Sequence, residues 1–250
     1  TFMGCESLVD IVLPNDVERI GKFAFYKCIN LKTIEIQQNV ETIDSSAFGE
    51  CPLEKIDIPI SVKKLGREVF KGCKNLTKVS LSEEIKIEQS LFEDCVNLIK
   101  IIIPSNKTII PDRAFKNCNN LGSITIGDQI KELGKNSFDG CTSLTSLDIP
   151  SSVDRIDDEC FLGCTSLFEI KFSKSCIKFG RNVLDGCESL CISGKIKEIP
   201  DIIKDCSTLT SLSIQSPISN ITHKFKCNLK NIEIPYTVNN IEEDAFEEPK

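Results

Sequence analysis

Apolar residues return along this chain as two alternating patterns. Leu8, Ile11 and Leu13 recur as Leu31, Ile34 and Ile36, as Leu76, Val79 and Leu81, as Leu98, Ile101 and Ile103, as Leu121, Ile124 and Ile126, and as Leu144, Leu147 and Ile149. Each set ends in period 2, the alternation of a strand with one face buried. Pro14, Pro59, Pro104, Pro150 and Pro235 follow directly, where a missing amide donor stops a ladder without damaging it. A second apolar pair comes next: Val17 and Ile20, Val40 and Ile43, Val62 and Leu65, Val153 and Ile156. Gly21, Gly66, Gly134 and Gly180 are expected to supply backbone freedom for the bend beyond it. Phe25, Phe48, Phe70, Phe92, Phe115, Phe138 and Phe161 close the unit, in a stretch too short for more than a helical turn.

Cysteines turn this pattern into a ruler. Cys5, Cys28, Cys51, Cys73, Cys95, Cys118, Cys141, Cys164, Cys187, Cys206 and Cys227 are spaced 22 or 23 residues apart until the last two intervals, which shrink to 19 and 21. A fixed period in this range marks a solenoid, because each coil cannot bury its own apolar face and must stack on a neighbour. The consensus reads C-x-x-L-x-x-I-x-I-P-x-x-V-x-x-I-G-x-x-A-F-x-G-C.

That unit resembles the leucine-rich repeats of the BspA-like family, from Phe2 to Phe246. The expected fold is a leucine-rich repeat solenoid of the α/β repeat class, rich in β: a right-handed curved stack of about ten to eleven coils of 22–23 residues. A parallel sheet is expected on its concave face, with short helical or 3-10 turns elsewhere. Residues 1–250 read as a single solenoid, with regular coils over 5–187, irregular shortened coils over 187–227 and a regular terminal coil over 228–250. The resemblance implies a non-enzymatic binding protein of the kind found on, or secreted from, bacteria and parasitic protists and discussed as adhesins.

Composition agrees with one elongated body. The chain is 40% hydrophobic and 27% charged, lacks tryptophan and has a mean hydropathy of -0.06, as expected of a soluble folded protein. No apolar run approaches the ~18 residues that a membrane span requires. The chain opens at Phe2 and Cys5, already inside the end of a coil, which reads as an excised or processed segment. A net charge of -7 argues against nucleic-acid or anionic-membrane partners, and the lysines are spread through the coils without a cluster. The acidic run Glu242, Glu243, Asp244, Glu247 and Glu248 reads as a solvated end.

Fourteen cysteines suggest a disulfide framework, but residues one period apart point the same way, about 4.8 Å apart, which suits a ladder of small buried thiols. Cys160 with Cys164, and Cys187 with Cys191, have zinc-like spacing near Cys176. Cys160 replaces the alanine of other coils and Cys176 the valine, so both read as core; only Cys191 falls at an outward strand position. No metal site and no cofactor are expected. His223 is the single histidine and no nucleophile, phosphate loop or dinucleotide motif accompanies it, so no catalytic residue is assigned. Asn75, Asn106 and Asn220 lie in N-glycosylation triplets, a weak signal.

Recognition is left to the strand positions between the core residues. These are Asp10 and Val12, Thr33 and Glu35, Lys55 and Asp57, Lys78 and Ser80, Lys100 and Ile102, Ser123 and Thr125, Ser146 and Asp148, Glu169 and Lys171. They imply a broad exposed sheet, since a parallel sheet normally hides both faces. No aromatic anchor is evident among them. In the shortened coils Leu184, Ile203 and Phe225 take over the closing position, and a kink or altered curvature is expected there; regular stacking resumes with Leu229, Ile232, Ile234, Pro235, Val238, Ile241 and Phe246. The expected function is binding of a protein ligand by a monomeric cell-surface or extracellular adhesion and host-interaction module. The alternative is an intracellular scaffold or regulatory domain in the cytoplasm.

Overall fold

The L-x-x-I-x-I segments stack as short parallel strands because their apolar side chains reach a dry interior only by lying over those of the next coil. The computed structural model describes residues 1–174, 177–222, 224–226, 228–243 and 245–246; the expectations placed on Cys176, His223, Cys227, Asp244, Glu247 and Glu248 lie outside the described residues. One ladder, here called the front, pairs Lys55–Asp57, Lys78–Ser80 and Lys100–Ile101. After a break at residues 121–126, where no strand forms, a second run on the same face pairs Ser146–Ile149, Glu169–Phe172, Ser189–Gly194, Ser211–Ile214 and Asn231–Glu233. The back ladder forms from the V-x-x-I segments, in strands of two residues such as Arg19–Ile20, Thr42–Ile43 and Lys64–Leu65, and Ile109–Ile110 through Lys178–Phe179. All pairings are parallel, in a stack of about ten coils. Among the described residues the only α-helix is Asp201–Lys204.

The back ladder is interrupted where one coil is short. Ile85 and Ile87 are two apart where Val62 and Leu65 are three apart, so the missing residue falls in the pairing segment itself. Neither side chain leaves the core: both isoleucines are buried.

The closing turns form a third set of inter-coil bonds. Phe25, Phe48, Phe70 and their equivalents send their backbone N–H to the next coil, at 2.8 Å from Phe25 to Ala47 and 3.1 Å from Phe48 to Val69. Two residues per coil sit at positive φ, for example Ser46 and Glu50, or Glu68 and Gly72. The glycine preceding many of the cysteines answers this second left-handed position, which other coils fill with Lys27, Glu50, Asp94 or Asn117 at some backbone cost. The phenylalanine rings then stack without a gap from Phe2 to Phe161, with centroids 5.4 to 6.0 Å apart and planes within 16°.

Beside the rings lies the cysteine column. The thiols of Cys51, Cys73, Cys95, Cys118, Cys141 and Cys164 each donate to the carbonyl oxygen of the phenylalanine one coil earlier, at 2.9 to 3.2 Å. A thiol is small enough for this buried site yet offers a donor that alanine lacks. The twelve cysteines among the described residues are free.

Gly66, Gly134 and Gly180 have a different purpose from the one expected. None has a positive φ; a Cβ there would lie 2.3, 2.7 and 2.2 Å from the backbone nitrogens of Ser45, Asp112 and Asp158 of the preceding coil. Close approach of one coil to the next excludes a side chain. At Gly21 nothing lies within 4 Å of the same point.

In coil 187–206 the four missing residues are lost at three places. Leu190 to Ile192 is one residue shorter than Leu167 to Ile170; two more are lost between Gly194 and Ile196, and one before Ile203. The strand Ser189–Gly194 is nonetheless the longest in the ladder, with six residues. Ile192 pairs with Ile170 on one side and Ile214 on the other, although Leu212 is the repeat equivalent of Ile170. The ladder has therefore slipped by two residues, about 6.6 Å along the strand. An even slip keeps apolar side chains inward, whereas a slip of one would turn the strand inside out. Leu184, Ile203 and Phe225 are buried at the closing position as expected. In the terminal coil Ile234, Ile241 and Phe246 are 37 to 47% exposed, having no further described coil above them.

Candidate functional site

Outward strand positions fall into two columns on the front face. The first runs Asp10, Thr33, Lys55, Lys78, Lys100, Ser123, Ser146 and Glu169; the second runs Val12, Glu35, Asp57, Ser80, Ile102, Thr125, Asp148 and Lys171. All are exposed except Glu169, which is half-buried. Direct pairing places Lys55 beside Lys78 and Lys78 beside Lys100, Asp57 beside Ser80, and Ser146 and Asp148 beside Glu169 and Lys171. Asp10, Val12, Thr33, Glu35, Lys55 and Asp57 line an open depression of about 680 Å³ at one end of this face.

The three lysines form a cationic column that the sequence conceals, because its members are 22 or 23 residues apart. Like charges directly opposite on parallel strands repel, by about 0.2–1 kcal/mol for each neighbouring pair. Their carboxylate neighbours do not relieve this: among the described residues no ion pair or hydrogen bond engages the side chain of Lys55, Lys78 or Lys100. Several cations elsewhere are matched. Arg19 binds Asp44 at 2.6 Å, Arg155 binds Asp157 at 2.7 Å and Lys174 binds Asp154 at 2.6 Å. The expectation of scattered lysines is thus corrected, since periodicity converts distant residues into neighbours.

Apolar groups accompany the charge. Val12 and Ile102 are 82% and 73% exposed in the second column. Two further contributors, Ile99 and Phe168, occupy the variable position just after the leucine and are 59% and 52% exposed. Sequence reasoning passed over this position because it lies before the strict alternation begins. Phe168 also supplies the aromatic group missing from the expected face, beside a smaller depression lined by Cys191, Ser213 and Glu233. Cys191 faces outward as expected but is half-buried, between Glu169 and Ser213.

Elsewhere the chemistry is that of packing. Among the described residues no three histidine, cysteine, aspartate or glutamate side chains gather to hold a metal ion. Burial pushes the ladder thiols and Cys160 up, to about 12 for Cys51, Cys187 and Cys160, so they remain protonated and poorly nucleophilic. Cys160 shares a hydrogen bond with the Ser137 hydroxyl at 3.2 Å. A depression of about 820 Å³ opens where the shortened coil departs from its neighbour, between Lys178 and Cys206. Its rim carboxylate Asp158 is lowered, chiefly by the Arg181 backbone N–H that it accepts at 2.8 Å.

A family description of the BspA-type leucine-rich repeat region matches the sequence in 6 copies, over residues 1–121, 85–203 and 131–250. The chain belongs to the BspA-type leucine-rich repeat family. Among solved structures, a leucine-rich repeat protein from Bacteroides ovatus is 25% identical, with a TM-score of 0.78 over 96% of this chain and 70% of its own. The T. pallidum leucine-rich repeat protein is 29% identical, with a TM-score of 0.56 over 64% of this chain and 75% of its own. A comparison with curated proteins finds no match. Both structural relatives share the stacked coil, and the BspA-type consensus accounts for the buried columns. It leaves Lys55, Lys78, Lys100 and Phe168 unexplained, since these face solvent and vary from coil to coil.

Proposed function

We propose that this BspA-type chain is a non-catalytic protein-binding module whose front face docks an acidic surface of a protein partner. The unpaired column Lys55, Lys78 and Lys100 carries this reading, because a sheet that keeps like charges in register forgoes stability unless something neutralises them. Ile99 and Ile102 flank the column and supply the apolar contact that charge alone does not provide. On a chain of net charge -7, a local cationic strip also orients an approaching acidic partner. Attachment at the cell surface or secretion, with a role in adhesion, is proposed from family membership. The free thiol ladder also suits a cytoplasmic scaffold, because its cysteines are hydrogen-bonded as thiols.

Poly-L-glutamate serves as the test probe. It is expected to bind the intact chain, to lose affinity steeply as salt rises, and to lose both affinity and salt dependence when Lys55, Lys78 and Lys100 are together replaced by serine. Equal binding by the triple variant would overturn the docking face. Surface proteolysis of intact producing cells separates the two locations, with cleavage expected.

A further inference from the structure

In a repeat protein the columns define what the fold needs, so a side chain that breaks its column while facing solvent points elsewhere. Phe23 and Tyr26 do this on the outer side of the closing turns. The positions equivalent to Phe23 hold serine, glutamate, arginine or asparagine, and those equivalent to Tyr26 hold glycine, lysine, glutamate, aspartate or leucine. Neither ring belongs to the buried phenylalanine stack; both are half-buried and meet edge to face at 5.4 Å and 72°. Phe23 adopts φ 55, a conformation unfavourable to a bulky side chain and easily met by the serine or asparagine of other coils. Gly49 is matched to Tyr26: a Cβ there would lie 2.8 Å from the Tyr26 Cδ2. The ring therefore lies over the backbone of the next coil, and its hydroxyl reaches Glu50 at 2.5 Å.

These rings form one end of an open depression of about 620 Å³ that extends across the neighbouring coils to Asn117 and Asn119. Glu68, Asp94 and the two asparagines line it as a fixed polar rim, with Asn117 donating to Asp94 at 2.8 Å, Asn119 to the Gly140 carbonyl oxygen at 3.1 Å and Ser46 to Glu68 at 3.2 Å, which leaves each carboxylate and amide with capacity for a further bond. Their charge is offset by Lys71 and Lys74, and Lys71 also pairs with Glu93 at 3.2 Å. Backbone groups are not on offer, because Phe23 and Lys27 already donate to Ser45 and Gly49 of the next coil, so a peptide cannot add here as a strand.

We propose that the Phe23–Tyr26 depression is a binding site for an uncharged saccharide. A pyranose ring has a C–H face that packs on an aromatic ring and a rim of hydroxyls that pairs with carboxylates and amides, which is the combination of groups assembled here. Lys22 and Lys27 lie over the two rings at 4.9 and 5.4 Å from the centroids, as exposed cations that a sugar face displaces.

The test uses a panel of neutral gluco-, manno-, galacto- and N-acetylhexosamine oligosaccharides, with acidic oligosaccharides and a peptide library as counter-panels. The chain has no tryptophan and two tyrosines, and Tyr236 is 99% exposed, so Tyr236→Phe leaves Tyr26 as the only emitting tyrosine. At least one neutral oligosaccharide is expected to bind and change that emission. Phe23→Ser with Tyr26→Lys, residues that other coils use at these positions, is expected to weaken binding, followed for this variant by isothermal titration calorimetry, about tenfold or more while circular dichroism stays unchanged. Three results would overturn the site: no neutral oligosaccharide binds, binding survives in the double variant, or only acidic glycans or peptides bind.

Discussion

Coils between Cys28 and Cys187 differ instructively from those between Cys187 and Cys227. In the first stretch the phenylalanine stack and the bonds from thiol to carbonyl repeat at every coil through Phe161 and Cys164. At the boundary Leu184 ends the stack, which resumes only as Phe225 on Phe246 at 4.9 Å, and the Cys187 thiol turns to the Cys164 carbonyl oxygen at 3.5 Å. Yet the front ladder continues from the first stretch into the second, slipping by two residues and not by one. The solenoid is thus more tolerant of which residue occupies a column than of which face that residue presents.

Alkaline titration should separate the two stretches most strongly. A thiol whose folded pKa is raised stays protonated where the unfolded chain has lost its proton. Its contribution is therefore complete below about pH 9 and lost as pH rises towards the folded value, from 9.0 to about 12 for Cys51. Each such thiol removes up to about 1.4 kcal/mol per pH unit in that window. Cys73, Cys95, Cys118 and Cys164 are likewise raised by burial, and the regular coils hold more such thiols than the shortened ones, so hydrogen exchange should report loss of protection above pH 9 led by the regular coils. Protection unchanged to pH 11 would break the comparison.

Truncation comes next in size. Phe92→Ala, within the stack, should cost about 3–5 kcal/mol by urea denaturation, and more than Leu184→Ala, where the stack has ended and the usual range is about 2–5 kcal/mol. Equal costs would mean that ring stacking adds nothing beyond volume. Glycine replacements sharpen the geometry further. Gly66→Ala should destabilise by about 1–3 kcal/mol, because the new methyl meets the Ser45 nitrogen, while Gly21→Ala at the same repeat position should be near neutral. Gly194→Ala should match or exceed the first, since φ is +103 and a Cβ would lie 2.1 Å from the Phe172 carbonyl oxygen.

What the sequence made legible was whatever repeats within a coil. Leu31, Ile34, Ile36, Val40, Ile43 and Phe48 announced their burial by spacing alone, and Asp57, Lys78 and Lys171 announced their exposure by falling between them. Relations between coils stayed hidden. Gly66 looks like a hinge until the Ser45 backbone is seen beneath it, and Lys55, Lys78 and Lys100 look dispersed until pairing aligns them. The slip at Ser189–Gly194 was equally unreadable, because deletions at three places leave the cysteine interval shortened without saying where. Phe23 and Tyr26 were the exception: their columns could have revealed them, had the variable positions been compared coil by coil.

The most direct test of coil-to-coil register as the source of the recognition face is the stability of Lys78→Glu, measured alone and with Lys55 and Lys100 replaced by serine. Alone, it should stabilise the chain by about 0.8–4 kcal/mol, as two repulsions of about 0.2–1 kcal/mol become two attractions of similar size across the ladder. In the serine background that gain should vanish. A Lys78→Glu effect of the same size in both backgrounds would show that the three side chains do not meet.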